Sequence, residues 1–200
     1  RAGGGGGRRS DGGADAHESA SVERHRRQAP RSLRAAVLTV SDSRTRETDT
    51  GGALVVELLE GAGHTVVGRE IVPDAAAAIQ SAVRSALEAE KAGGAGAQLL
   101  VVTGGTGIAP RDVTPEALRP LLDRELPGFG ELFRMLSFQE IGAAALLSRA
   151  FAGLRAGRPV FALPGSRAAI RLAMTRLVLP EAGHLVGLAE AASRPGGGDA

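Results

Sequence analysis

From Leu33 onward, short apolar runs alternate with longer amphipathic stretches, and few folds can satisfy that order. Leu33–Ser41 (LRAAVLTVS) is short, apolar and rich in β-branched residues, and Asp42-Ser43 halts it, as expected of a buried strand. Leu54, Leu58, Leu59 and Ala62 then form a helical stripe closed by Gly63 in the position of a cap. His64–Val72 reads as a second strand. Asp74, just after Pro73, stands where a helix N-cap belongs. Ile79, Ala82, Val83, Ala86 and Leu87 follow at i, i+3, i+4, i+7 and i+8. Gly93–Gly96 break that helix, and Gln98–Thr103 (QLLVVT) is apolar throughout, as in a strand covered on both faces. Strands and helices in this order predict an α/β domain, with a mainly parallel sheet and helices on both sides.

The second half continues the pattern. Pro115–Asp123 reads as a helix with Thr114 as N-cap, and Phe129, Leu132, Phe133 and Leu136 as a stripe that is core or subunit interface. Arg158–Leu163 is a fourth strand, Ile170, Ala173, Met174 and Leu177 mark another helix, and a last short helix precedes Arg194. The ends differ in texture. Residues 1–32, with the run Gly3–Gly7 and almost no large apolar side chains, bury too little to offset their ordering entropy, and are expected to be a disordered arm. The domain is expected over residues 33–192, and residues 193–200 form a second disordered tail.

Charge narrows the function classes. Residues 1–34 carry eight arginines and four acids, whereas residues 35–200 carry 16 basic and 18 acidic groups, so the folded part is slightly negative. The pI of about 10.2 reflects one lysine and no tyrosine or cysteine, not a basic surface. A negative domain with no Trp or Tyr and five Phe is a poor match for nucleic acid. With no cysteine there is neither disulfide nor thiolate metal site, which suits a cytoplasmic protein. No apolar run approaches the roughly 18 residues of a membrane span. The four histidines lack ligand spacing.

In folds of this class ligands sit beyond the carboxyl ends of the strands, and three of those ends lead into polar or glycine-rich loops. The most informative is Thr103-Gly104-Gly105-Thr106-Gly107, followed by Arg111, Asp112 and a helix start at Thr114. It is neither a Walker A loop nor Gly-x-Gly-x-x-Gly. On its glycines alone it serves chain reversal or phosphate binding equally well. Arg111, able to hold phosphate, and Asp112, able to hold Mg²⁺, move binding ahead. Asp74 alone is a cap; beside a second strand-end acid it becomes a candidate for positioning a metal or an attacking group. Pro164-Gly165-Ser166 is a simple turn with Ser166 as N-cap, or a second anion-binding helix start.

In this order the chain resembles the MoaB/MogA-type molybdopterin-binding domain of molybdenum cofactor biosynthesis. The resemblance runs through Leu38–Asp42, Asp49-Thr50, Val72-Pro73-Asp74, Thr103–Gly107, Arg111–Ala117, Gly128–Glu131, Leu147–Ala150 and Leu163–Ser166. Phe133–Gly142 leans toward the MoaB-type branch, some members of which bind without adenylylating. The resemblance implies a three-layer α/β/α domain assembling as a homotrimer or homohexamer, alone or with other cofactor-assembly proteins. It further implies a molybdopterin adenylyltransferase, which uses Mg²⁺ and ATP to place AMP on the terminal phosphate of molybdopterin and releases pyrophosphate. Asp74 and Asp112 would be the catalytic acids, with Asp112 organising Mg²⁺. Thr103, Gly104, Gly105, Thr106 and Gly107 would cradle phosphate, and Arg111, Ser148, Pro164, Gly165 and Ser166 would help bind pterin or nucleotide. One departure is Gly51, where many members carry serine. A competence-damage-inducible group shares the fold, but its loop is typically followed by Asp-Asp, against Arg111-Asp112 here.

Overall fold

In a computed structural model of the chain, described over residues 30–88 and 96–192, every strand proposed from the pattern is present. These are β1 (Arg34–Val40), β2 (Thr65–Val72), β3 (Leu99–Thr103) and β6 (Arg158–Leu163). Helix α1 (Thr50–Gly61) joins β1 to β2, and α2 (Ala76–Glu88) joins β2 to β3. Most of the expected arm, the tail and the Gly93–Gly96 break lie outside the described residues. Two strands escaped the sequence reading: the two-residue β4 (Arg124–Glu125) and β5 (Phe151–Arg155). The sheet order is β2-β1-β3-β6-β5-β4; the first four strands are parallel, and β5 and β4 run antiparallel to their neighbours.

Alternation along the strands splits the core in two. Ala35 and Val37 of β1, Leu99 and Val101 of β3, and Phe161 and Leu163 of β6 face one layer. There they meet α1, α4 (Pro127–Ile141) and the C-terminal helices, and Phe129 packs edge-on to Phe161 at 5.1 Å between ring centroids. Ala36, Leu38, Leu100, Val102 and Ala162 face the other layer, under α2 and the short α3 (Thr114–Leu118). This is the three-layer arrangement. It brings the carboxyl ends of β1, β3 and β6 together at one edge.

Five local expectations change. Helix α3 ends at Leu118, followed by a 3₁₀ turn over Arg119–Leu121, so Asp123 is not helical. Val113 takes the cap position, and the Thr114 hydroxyl instead donates to the Gly104 carbonyl at 2.9 Å. Asp74 does not cap α2, which begins two residues later. The two C-terminal helices are one continuous run: α5 (Arg167–Ala173), a π segment (Met174–Val178) and α6 (Leu179–Ala192). Along α4 the stripe also divides. Phe129 and Phe133 are buried, whereas Leu132 is exposed.

Candidate functional site

The chain order reverses direction between β1 and β3, and a cleft of about 250 Å³ opens there. Its lining includes Thr39, Ser41, Arg44, Thr103, Gly104 and Gly165. The glycine loop leaves β3 at this point. Gly104 adopts φ +95° and Gly105 φ +61°, the left-handed region where a side chain is strained. A Cβ on Gly104 would lie 2.3 Å from the Val40 carbonyl oxygen, so the loop backbone is pressed against the end of β1.

Hydrogen bonding in the loop is one-sided. The Gly104 carbonyl accepts from the Thr114 hydroxyl, and that of Gly105 from the Thr114 N–H at 3.0 Å. The Thr106 carbonyl accepts from the Arg149 N–H at 3.2 Å, and that of Gly107 from Arg149 Nε at 2.8 Å. The Gly104 N–H donates to the Leu163 carbonyl, but among the described residues no protein acceptor meets the N–H of Gly105, Thr106 or Gly107. Successive N–H groups of this kind form an anion-binding concavity.

Both candidate acids rest on this loop. A Cβ on Gly105 would lie 2.6 Å from Asp74 Oδ1, and one on Gly107 would lie 2.6 Å from Asp112 Oδ2. The glycines therefore admit the two carboxylates from β2 and from the loop's own far end. Asp112 Oδ2 accepts from the Ala109 N–H at 2.9 Å, while Asp74 Oδ1 is buried with no hydrogen-bond partner. Burial, then the nearby Asp42 and Asp112 carboxylates, pushes the Asp74 carboxyl above its ordinary value; Arg111 pulls against them. Asp42, at the end of β1, was not singled out from sequence, yet its Oδ1 accepts from the Asp74 N–H at 3.0 Å.

The remaining expected residues lie around the cradle. Gly165 packs 3.5 Å from the Gly104 Cα, measured from where its Cβ would be, and Ser166 caps α5 through the Ala169 N–H. The first reading of Pro164–Ser166 thus holds, since the turn caps α5, and the same turn borders the glycine loop. The Ser148 hydroxyl accepts from the Ala150 N–H at 3.3 Å, beside Arg149. Thr103 and Thr106 are buried, so these two threonines offer the cradle backbone more than side chain.

Beneath the cleft lies a buried polar cluster. Asp49 caps α1 by accepting from the Gly52 N–H at 2.8 Å, and its other oxygen accepts from the Thr39 hydroxyl and Arg69 Nη2, each at 2.9 Å. Burial disfavours the Asp49 carboxylate, but the Gly52, Arg69 and Thr39 bonds outweigh it and hold its pKa below the ordinary 3.8. A depressed folded-state pKa means that the stabilisation is present above 3.8 and is lost as pH falls through the lower folded value. Urea midpoints should accordingly drop in acid below that point. The drop should be shallower in Asp49→Asn; equal profiles would show that the cluster carries no such linkage.

A family described as "Probable molybdopterin binding domain" matches residues 36–184. Molybdenum cofactor biosynthesis protein B of Halalkalibacterium halodurans is 53% identical over 167 residues, covering 83% of this chain and 95% of that protein. The corresponding Bacillus subtilis protein is 48% identical over 167 residues, with 83% and 95% covered. A crystal structure of a molybdenum cofactor biosynthesis protein B aligns with a TM-score of 0.76 at 48% identity, over 82% of this chain and 99% of that one. The tungsten cofactor synthesizing protein MoaB from Pyrococcus furiosus aligns with a TM-score of 0.68 at 37% identity, over 80% and 99%.

Proposed function

The chain belongs to the molybdopterin-binding domain family, and from that premise we propose that it adenylylates molybdopterin with Mg-ATP and releases pyrophosphate. Its broader place, in molybdenum cofactor biosynthesis, follows from the family itself. The adenylylation reading is carried by one observation: two carboxylates, Asp74 and Asp112, lie against glycines of a loop that has unpaired N–H groups. A binder of phosphate has no need of acids there, since they repel the ligand unless a cation joins them.

The donor set fits Mg²⁺. This ion takes one or two carboxylates, with waters and substrate phosphate oxygens completing the shell. Among the described residues no three acidic or histidine side chains are arranged to hold a metal alone, and the buried, unpartnered Asp74 Oδ1 awaits a partner. Asp112 would hold the ion, with Asp74 beside it. When bound, Mg²⁺ would neutralise charge on the triphosphate and on the departing pyrophosphate.

In the transfer, a terminal phosphate oxygen of molybdopterin forms a bond to the α-phosphorus of ATP. The α–β bridge breaks, and its electrons leave with pyrophosphate. The N–H groups of Gly105, Thr106 and Gly107 cradle phosphate, Arg111 adds positive charge at the mouth, and Ser148 and Pro164–Ser166 border the pterin or nucleotide. Little covalent chemistry is asked of the protein; alignment and fixed dipoles do most of it. A homotrimer or homohexamer is part of the reading, supported by the exposed apolar side chains of Leu132, Met135, Phe138, Ile141, Leu146 and Leu147 on α4 and the 3₁₀ segment after it.

The test is direct. Purified protein incubated with molybdopterin, ATP and Mg²⁺ should yield adenylylated molybdopterin and pyrophosphate in equal amounts. Molybdopterin binding without pyrophosphate release would replace the enzyme with a non-catalytic carrier on the same fold.

A further inference from the structure

Between Gly107 and Asp112 the loop is a hoop with little to hold it. Ile108, Ala109, Pro110 and Arg111 are all exposed, Ile108 to 68%. Inside the hoop only Ala109 and Asp112 bond each other: the Asp112 N–H donates to the Ala109 carbonyl at 2.8 Å, and the Ala109 N–H to Asp112 Oδ2. Among the described residues, Ile108, Ala109 and Pro110 belong to neither core layer. Yet Asp112 must stand at a defined place if it is to serve the site.

Arg149 supplies that anchor from 42 residues away in the chain. Its Nε donates to the carbonyl of Gly107, where the hoop begins, and Nη2 to that of Asp112, where it ends. Nη1 bonds the Glu116 carboxylate on α3, which fixes the guanidinium plane relative to the helix. Arg149's own N–H holds the Thr106 carbonyl. An arginine beside a phosphate cradle would ordinarily be read as a phosphate ligand. Here three of its five N–H groups are turned onto the protein.

We propose that Arg149 is a positioning residue: by pinning both ends of the hoop it sets where the Asp112 carboxylate stands, and it is not a ligand contact. A planar fork can hold two carbonyls and a carboxylate at once; a lysine ammonium on a flexible stem cannot keep that geometry. The kinetic half of the proposal rests on the adenylyl-transfer reading. Its structural half does not.

The experiment compares the wild type with Arg149→Gln and Arg149→Lys as full chains. Three quantities are measured: amide hydrogen exchange at Ala109 and Asp112 without ligand, molybdopterin affinity, and adenylylation kinetics. Exchange at both amides should quicken by about tenfold or more in the glutamine variant, because the hoop opens locally. The kcat should fall by about 10²-fold, the usual consequence of a misplacement near 1 Å. Molybdopterin Kd should stay within about threefold, since no ligand contact is lost. Arg149→Lys should show the same pattern with its charge retained, and it serves alone if the glutamine variant does not fold. A large rise in Kd with unaltered exchange would make Arg149 a ligand contact and overturn the proposal, as would unchanged exchange and kcat together. If the wild type forms no product, the adenylyl-transfer reading fails, while exchange and affinity still decide the clamp.

Discussion

Asp112→Asn should lower the rate of adenylyl transfer by about 10³-fold, the scale on which a fixed electrostatic partner of a transition state contributes. The substitution is nearly isosteric. An asparagine oxygen can still accept from the Ala109 N–H that Asp112 Oδ2 holds now, so the hoop keeps its shape. What disappears is one negative charge and, with it, the proposed anchor for Mg²⁺. The sign of the binding effect differs from that of the rate effect. Without Mg²⁺, removing a negative charge beside the cradle should leave molybdopterin affinity equal or tighter. Steady-state rates and calorimetric titration on the same preparations separate the two. Equal turnover by both proteins would remove Asp112 from the chemistry.

Gly104→Ala should act on the fold instead. The position combines φ +95° with a Cβ site 2.3 Å from the Val40 carbonyl oxygen. Left-handed backbone costs a non-glycine residue about 1–3 kcal/mol. The clash is with backbone in the centre of the sheet, which cannot swing away, so a total loss of at least about 3 kcal/mol is expected. For a domain of this size that is a fall in Tm of roughly 6–12 °C. Gly107→Ala is the informative contrast. Its obstacle is the end of the Asp112 side chain, and its backbone does not sit in the left-handed region. The protein should stay folded while the carboxylate is displaced. Thermal melts of the two variants should therefore diverge; a Gly104→Ala melt matching the wild type would show that the loop is not wedged against β1.

Much of this architecture was legible because its central strands are buried on both faces. Leu99–Val102 is apolar throughout, and Thr103-Gly104 ends the run too soon for a helix. Strand β5 lacked such a signal. Gly153 interrupts it, and the reason lies elsewhere in the chain: a Cβ there would meet Leu122 Cδ1 at 2.5 Å and the Arg124 carbonyl at 2.6 Å. That glycine records the close approach of β4, which local pattern does not carry. Asp74 was ambiguous for a related reason. An acid after a proline and before a helix has the local appearance of a cap, and only the fold sets it against Gly105. Ser148 was visible within its motif, whereas the reach of Arg149 to Gly107 and Asp112 is a tertiary fact. Gly51, the departure from the family pattern, sits where a Cβ would lie 3.2 Å from the buried Ile170 Cδ1 and 3.4 Å from the Gly165 carbonyl oxygen, a tight fit.

The one-sided hydrogen bonding of residues 104–107 has a consequence for what the site can admit. Four consecutive carbonyls already hold a protein donor each, whereas among the described residues the N–H groups of Gly105, Thr106 and Gly107 meet no protein acceptor. Successive N–H groups favour an anion, so under the proposed function a pterin stripped of its phosphate should bind this protein far more weakly than the phosphorylated form.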